Sequence, residues 1–191
     1  MDDFKEILKS ISNGDKKAFQ ILYNSFCNKI YNTSLSYLQN KQDAEEVMQD
    51  VFIKIYQKAA TFKGESSVST WIYKITVNTS LNFLKRKKRF SFFRISETEI
   101  NKHDFEHPGI LLENKEKAKI LFNAIDTLSN NQKTAFILSF IEGLPRQEVA
   151  NIMEISLKAT ESLLQRAKKN LREKLNIWYY NERKSIMNCL K

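Results

Sequence analysis

The scarcity of chain breakers constrains this sequence more than any other feature. Only four glycines and two prolines occur among its 191 residues. A sheet-rich domain needs frequent turns, and these two residue types supply many of them, so their scarcity favours helices. Hydrophobic residues make up 42% of the chain, which is enough to build packed cores. An all-α fold is therefore predicted.

Apolar residues recur at helical spacing through the first 90 residues, which predicts a helical bundle there. Asp43 followed by Glu46 suits the capped start of one helix, and Ser67 suits the N-cap of the next. Aromatic residues on the apolar stripes are expected to lie in the core of this bundle: Phe19, Phe26, Phe52 and Tyr56.

A second set of helices is predicted from residue 116 onwards. Residues 129–132 read Ser-Asn-Asn-Gln, which is typical of a capping box, and Gly143 lies where the following helix should end. Pro145 suits the first turn of a short helix over residues 146–153. A three-residue turn then leads into a long helix whose face from Leu157 to Leu175 should pack on its neighbours. Two helices joined in this way form a helix-turn-helix.

The charge is divided into three zones. Residues 1–90 and 116–191 are basic, whereas residues 91–115 are acidic, and the whole chain carries a net charge of +9. The surplus favours a polyanionic partner such as nucleic acid. This pattern predicts two small helical domains, over residues 1–90 and 116–178, joined by a flexible linker over 91–115 and followed by a C-terminal tail over 179–191.

Several classes of protein are disfavoured by the sequence. Cys27 and Cys189 fit no metal spacing and suggest a reducing cytoplasm, and His103 and His107 lie in a polar stretch without a third ligand. No apolar run is long enough to span a bilayer, and no signal peptide is expected. Phosphate-binding loops and nucleophile–base pairs are also lacking, so neither an enzyme nor a cofactor is predicted.

Residues 43–89 place four features side by side. An acidic helix face is followed by a polar loop at 62–67, then by Trp71 and Tyr73, and finally by five consecutive basic residues at 85–89. Single-stranded DNA binding requires stacking surfaces beside a positive track. This segment therefore predicts a site for separated DNA strands.

The long second helix of the helix-turn-helix has a polar outer face. Ser162, Gln165 and Arg166 suit contacts with base edges in a major groove, and Lys158, Lys168 and Lys169 suit phosphates. Ser156 can cap this helix and leave amides for a phosphate. From this helix alone, an ordinary amphipathic helix with a solvated charged face is an equal alternative.

Two stretches of sequence carry a family resemblance. FKGESSVSTWIYKITVNT closely resembles region two of the sigma-70 family, the promoter-opening subunits of bacterial RNA polymerase. LSNNQKTAFILSFIEGLPRQEVANIMEISLKATESLLQRAKKNLREKL is similar to region four of the same family. The resemblance covers roughly residues 10–90 and 116–175, in the compact plan of the extracytoplasmic-function subgroup.

The resemblance implies roles for individual residues. The helix over 43–56 would dock on the clamp coiled coil of the largest polymerase subunit through Asp43, Glu46, Gln49, Asp50 and Ile53. The loop of Phe62, Lys63, Gly64, Glu65, Ser66 and Ser67 would capture a flipped base, with Trp71 and Tyr73 at its edge and Asn78 bonded to neighbouring bases. The DNA backbone would be followed by Lys74, Lys85, Arg86, Lys87, Lys88 and Arg89, and in the second domain Arg146 and Gln147 would join the DNA-binding set.

The predicted function is that of an alternative sigma factor, with core RNA polymerase, promoter DNA and an anti-sigma protein as partners. The alternatives are a stand-alone helix-turn-helix regulator and a helical adaptor that binds no DNA. Three residues depart from the family pattern. Glu154 lies where glycine is frequent, and Glu161 and Leu163 lie where basic residues are common, which leaves recognition of the upstream promoter element open.

Overall fold

The chain divides into two compact units, Met1–His107 and Pro108–Lys191. The computed structural model describes residues 3–93 and 115–189, and every regular element in those two ranges is helical. The all-α prediction is therefore confirmed. Most of the predicted linker, together with His103 and His107, lies outside the described residues.

The first unit is a helical bundle built around its second helix. It contains α1 (Asp3–Ser12), α2 (Lys16–Leu38), α3 (Lys41–Lys58), a 3₁₀ turn (Ala59–Thr61) and α4 (Val68–Phe93). Helix α2 packs against α1, α3 and α4, and α3 also packs against α4. The apolar stripes meet at this centre, where the following side chains are buried: Leu22, Ile30, Val51, Ile55 and Ile72.

The two predicted caps of this unit have different outcomes. Helix α3 begins at Lys41, and its N-cap is Asn40, whose Oδ1 accepts a hydrogen bond of 2.9 Å from the Asp43 amide. The predicted start at Asp43 is therefore wrong, because an amide side chain three residues earlier already caps the helix. Ser67 is confirmed as the cap of α4, since its Oγ accepts a hydrogen bond of 3.0 Å from the Thr70 amide.

The predicted aromatic core is largely but not wholly present. Phe26 and Phe52 are buried and Phe19 is half-buried, but Tyr56 is 52% exposed. The prediction for Tyr56 is wrong because this residue lies at the edge of the apolar stripe, about 100° around the helix from the buried Ile55. Its ring still contacts Phe19 edge to face, with the centroids 5.7 Å apart.

The second unit packs three shorter helices on one long helix. It contains α5 (Lys115–Asp126), α6 (Asn130–Phe136), a π-helical segment (Ile137–Ile141), α7 (Arg146–Met153) and α8 (Leu157–Cys189). Helix α8 contacts α5, α6 and α7. Its core includes the following buried side chains: Phe122, Ile125, Leu138, Val149 and Ala167.

The predicted boundaries of the second unit are mostly confirmed. The π-helical segment ends before Gly143, which has a φ of +69°, and α7 begins directly after Pro145. Ser129 does precede α6, but its side chain makes no capping hydrogen bond, so the capping-box prediction is wrong. Leu157 was expected to be packed and is 40% exposed, because it is the first residue of α8 and lies beyond the neighbouring helices.

Helix α8 does not end at the predicted tail. It continues without a break from Leu157 to Cys189, a length of 33 residues. Most of the predicted tail therefore continues the last helix. Within the two described ranges, no helix combines the length and apolarity that a membrane span requires.

Candidate nucleic-acid interface

The loop over residues 62–67 joins the 3₁₀ turn to α4. Gly64 has a φ of +74°, a conformation that other residues adopt only with strain, and this allows the tight bend. Lys63 and Glu65 are exposed, while Phe62, Gly64 and Ser66 are half-buried. Ser67 fixes the end of the loop, because its hydroxyl bonds both the amide and the hydroxyl of Thr70.

Phe62 and Trp71 bring the loop and α4 together. Their ring centroids are 5.4 Å apart and their planes are inclined by 58°. Both side chains are half-buried, so each ring keeps one part in contact with the protein and another part open to solvent. A partly open pair of aromatic rings is a surface on which a nucleic acid base can stack.

A cavity of about 310 Å³ lies beside the loop, on the side facing α1. Lys5 and Lys9 of α1 line it together with Phe62, Lys63 and Gly64. The two α1 lysines were not predicted as site residues. Their spacing of four residues places them on one side of a helix, and that spacing was the available signal.

Of the four predicted site residues in the N-terminal half of α4, three share one face of the helix. Trp71, Lys74 and Asn78 follow one another at intervals of three and four residues, and all three are at least partly accessible. Tyr73 is only 7% exposed. It lies between Trp71 and Lys74 in sequence, and the helical rotation turns it into the core. The structure therefore brings the first three together on one accessible face and buries Tyr73 on another.

The five basic residues at 85–89, called here the cationic strip, form the exposed C-terminal part of α4. Two of them are engaged by α3. The Arg86 Nη2 lies 3.0 Å from a carboxylate oxygen of Glu46, and Lys87 forms an ion pair with Asp43. The Arg86 guanidinium also lies over the ring of Phe83, 5.1 Å from its centroid.

The predicted polymerase-binding residues lie along α3. Glu46, Gln49 and Ile53 are exposed on one face, and Ile53 is 53% exposed despite its apolar side chain. Asp43 and Asp50 are half-buried and lie closer to the neighbouring helices. This face of α3 therefore combines a carboxylate, an amide and one exposed apolar side chain.

One further contact between α3 and α4 was not predicted. The Lys54 Nζ donates a hydrogen bond of 3.0 Å to the Thr79 hydroxyl. Thr79 is buried, and it interrupts an apolar face of α4 at that position. The Thr79 hydroxyl also donates a hydrogen bond of 2.7 Å to the Ile75 carbonyl of its own helix, so its burial did not by itself indicate a partner on α3.

The second unit contains the predicted helix-turn-helix. Helix α7 ends at Met153 and is followed by Glu154, which has a φ of +56°. The Ile155 amide then donates a hydrogen bond of 3.1 Å to the Ala150 carbonyl. Ser156 caps α8 by accepting a hydrogen bond of 3.2 Å from the Ala159 amide. Position 154, where the family often has glycine, therefore has a left-handed backbone although glutamate occupies it.

The predicted polar face of α8 is accessible. Thr160, Leu164, Ala167 and Leu171 are buried against the rest of the unit, which turns the opposite face outwards. Ser162 is half-buried. The remaining predicted DNA-binding residues of this unit are exposed: Arg146, Gln147, Ser156, Lys158, Gln165, Arg166, Lys168 and Lys169.

Some of these outward residues contact one another. Arg146 pairs with Glu161 at 3.3 Å, and the Lys168 Nζ lies 4.5 Å from the centroid of the exposed Phe140 ring. Arg166 donates a hydrogen bond of 2.8 Å to the Ser162 hydroxyl. Glu161 of α8 thus forms an ion pair with Arg146 of α7 across the turn of the helix-turn-helix.

Both units match proteins of a known family. Family models match residues 22–90 as sigma-70 region 2 and residues 118–171 as sigma-70 region 4. The ECF RNA polymerase sigma-E factor of Haemophilus influenzae is 30% identical over 177 residues, which cover 88% of this chain and 93% of that protein. This chain belongs to the sigma-70 family. It is a sigma factor of the extracytoplasmic-function type.

Other relatives support the same assignment. The sigma-H factor of Pseudomonas aeruginosa is 27% identical and covers 86% of this chain, and the sigma-E factor of Escherichia coli K12 is 28% identical and covers 88%. Those matches extend over 89% and 92% of the two relatives. The chain therefore functions as an alternative sigma factor. A stand-alone helix-turn-helix regulator is not favoured, since the region 2 match occupies most of the first unit.

Two solved structures share the fold. CnrH in complex with the cytosolic domain of CnrY has a TM-score of 0.65 and 18% identity, covering 91% of this chain and 97% of CnrH. The sigma factor RpoE of Bartonella quintana, solved with the anti-sigma factor NepR, has a TM-score of 0.62 and 20% identity, covering 84% and 98%. At this level of identity the likeness concerns the fold.

Proposed function

We propose that this sigma factor binds core RNA polymerase through α3 and opens promoter DNA with the first unit. The observation that carries this proposal is the contact between Phe62 and Trp71, with ring centroids 5.4 Å apart. It lies at the start of a helix face that also carries the half-buried Lys74 and the exposed Asn78. An aromatic pair for stacking, an amide for hydrogen bonding and a positive charge therefore lie along one face of α4.

The energetics of this surface suit strand opening. Extruding a base from duplex DNA costs a few kcal/mol, and stacking a base on an aromatic side chain contributes about 1–3 kcal/mol. Hydrogen bonds from Asn78 and phosphate contacts from Lys74 add to that gain. The protein would stabilise the opened state by binding it preferentially, which requires neither ATP hydrolysis nor a catalytic residue in this chain.

Core polymerase is the proposed partner of α3. Glu46, Gln49 and Ile53 provide a charged group, an amide and an apolar side chain on one exposed face. The clamp coiled coil of the largest polymerase subunit is the partner that the family assignment suggests. Since the polymerase works in the cytoplasm, we place the sigma factor there as well.

The second unit is proposed to read the upstream promoter element. Ser162, Gln165 and Arg166 would contact base edges, while Lys158, Lys168 and Lys169 would hold the phosphates. The first-turn amides of α8, the Ser156 cap and the α7 residues Arg146 and Gln147 would add backbone contacts. Glu161 can accept a hydrogen bond from cytosine, although its ion pair with Arg146 must then be exchanged.

An anti-sigma protein is the proposed regulator. Two proteins with this fold are described in complexes, CnrH with CnrY and RpoE with NepR. The exposed Ile53 and Tyr56 of α3 offer apolar surface for such a partner. Because the proposed polymerase contacts lie on the same helix, a regulator bound there would compete with the polymerase.

Reconstituted transcription tests the proposal. The purified chain, core polymerase and a library of promoter fragments from the source genome are combined, and transcript starts are mapped. We expect start sites that require both the chain and core polymerase. Asn78→Ala should reduce permanganate-detected melting at those sites while leaving core binding unchanged. A folded chain that binds no core polymerase would contradict the proposed function.

A further inference from the structure

Two proposed binding sites of the first unit are joined by ion pairs. Glu46 and Asp43 belong to the proposed polymerase-binding face of α3, whereas Arg86 and Lys87 belong to the cationic strip of α4. Residue numbers rise along α3 as their partners' numbers fall along α4, so the two helices are antiparallel at this boundary. We call these four residues the α3–α4 seam.

The ion pair between Arg86 and Glu46 can be exchanged for contacts with other partners. Side chains of Arg86 and Glu46 are 54% and 56% exposed, so their ion pair is strongly screened by solvent. An exposed pair of this kind contributes about 0–1 kcal/mol. A DNA phosphate can therefore replace Glu46 as the partner of Arg86 at a small cost in free energy. A donor group of a protein partner can likewise replace Arg86 as the partner of Glu46.

Each ion pair also reduces the positive charge that the cationic strip presents to DNA. While the Arg86 Nη2 donates to Glu46, a neighbouring carboxylate offsets the positive charge that a phosphate would meet. Phe83 holds the guanidinium from below, at 5.1 Å, and so keeps it at the seam. Lys87 is similarly engaged by Asp43, whose side chain is only 18% exposed.

We propose that Glu46 and Asp43 restrain the cationic strip in the unbound sigma factor, and that docking of a protein partner on α3 releases Arg86 and Lys87 for DNA phosphates. This proposal rests on the proposed function. The coupling is reciprocal, so phosphate binding to the strip frees Glu46 and strengthens docking by the same factor. The seam would thus disfavour DNA binding before the polymerase is bound.

Glu45 provides a matched control. It is adjacent to Glu46 and has the same side chain, but it lies near Tyr31 of α2: burial and then the negative charge of Glu45 raise the pKa of Tyr31. Glu45→Gln and Glu46→Gln therefore change the net charge equally, and only Glu46→Gln removes the partner of Arg86.

The test measures binding of a labelled single-stranded oligonucleotide to the full-length chain without polymerase. We expect Glu46→Gln to bind up to about 5-fold more tightly than Glu45→Gln at low salt, as an ion pair of at most about 1 kcal/mol allows. Its plot of log K against log salt should be steeper by about 0.7, the value for one added phosphate contact on a single strand. In an Arg86→Gln background the difference between the two variants should vanish.

The same comparison with core polymerase bound separates the two proposals. At saturating polymerase, Glu46→Gln and Glu45→Gln should bind a pre-opened promoter fragment equally, because Arg86 has already been released. Equal DNA binding by the two variants without polymerase, or no binding by either, would overturn the restraint while leaving core-dependent transcription intact. Loss of core binding by the wild-type chain would instead remove the proposed function.

Discussion

The ring of Phe62 leans against that of Trp71, with a centroid distance of 5.4 Å and an angle of 58° between the planes. The contact ties a loop to the first turns of a helix that is itself anchored by the Ser67 cap. Because both rings are half-buried, their orientation is fixed by the protein while part of their surface remains open to a ligand. Such preorganisation lowers the entropic cost of binding a base.

Replacing Trp71 by alanine should impair promoter opening far more than polymerase binding. Loss of one base-stacking surface costs about 1–3 kcal/mol, so open-complex formation should fall by roughly 5- to 150-fold. Potassium permanganate footprinting measures melting, and fluorescence anisotropy measures core affinity. Trp71→Phe is the matched control, since it keeps a ring against Phe62 and should retain most of the activity. Unchanged melting by Trp71→Ala would remove this residue from the site.

The cationic strip should contribute unequally to DNA binding. Lys85 and Arg89 are exposed, whereas Arg86 and Lys87 are ion-paired with α3. In the chain without polymerase, Lys85→Gln with Arg89→Gln should lower the salt slope of single-strand binding by about 1.4, as expected for two phosphate contacts. The pair Lys16→Gln and Lys17→Gln, at the start of α2, removes the same charge and should change the slope little. Identical slopes for both double variants would mean that the strip does not meet DNA.

Gly143 should be required for its backbone conformation. Its φ of +69° is unfavourable for other residues, and a Cβ placed there would have no heavy atom within 4 Å. Gly143→Ala therefore introduces backbone strain without a steric clash and should lower the free energy of unfolding of the second unit by about 1–2 kcal/mol. Urea unfolding followed through the amide resonances of α7 measures this change. A neutral result would mean that the turn can adopt another conformation.

Glu154 presents the opposite situation, because a residue with a side chain occupies a φ of +56°. Glu154→Gly should be more stable than Glu154→Ala by about 1 kcal/mol. Both variants lose the contacts of the glutamate, so their difference isolates the backbone term. The two free energies of unfolding are compared by urea titration. Equal stability of the glycine and alanine variants would contradict a strained backbone at this turn.

Much of this fold could be predicted because local signals agree with one another. The buried positions of α3, such as Val47, Val51 and Ile55, follow helical periodicity. Gly143 and Pro145 mark the start of the helix-turn-helix through backbone preferences that act within a few residues. Such signals do not depend on how distant segments pack.

Features that depend on neighbouring helices were harder to predict. Tyr56 continues the apolar stripe of α3 but lies at its edge, and periodicity alone does not show where the adjacent helices end. Asn40 and Asp43 are both chemically suitable caps, and only the bounds of α3 decide between them. The pairing of Glu46 with Arg86 joins residues 40 positions apart and depends on the antiparallel register of α3 and α4.

In the proposed DNA-binding site, too, some features follow from local sequence and others depend on how the helices pack. The residue types of the loop and of α4 were identified from their order in the sequence, and their roles stay predictions. That Tyr73 turns inwards while Trp71 and Asn78 remain accessible follows from burial on two sides of α4. The spacing of Lys5 and Lys9 places them on one side of α1, but they line the cavity beside the loop only because α1 packs there.

The unbroken course of α8 has a consequence for how much of it DNA can touch. Its 33 residues correspond to a rod about 50 Å long. One turn of duplex DNA rises only about 34 Å, and a recognition helix usually enters the major groove with its N-terminal residues. When the end near Leu157 is seated, the distal half of α8 lies beyond the turns that enter the groove. Sequence appended to that half would disturb promoter reading least.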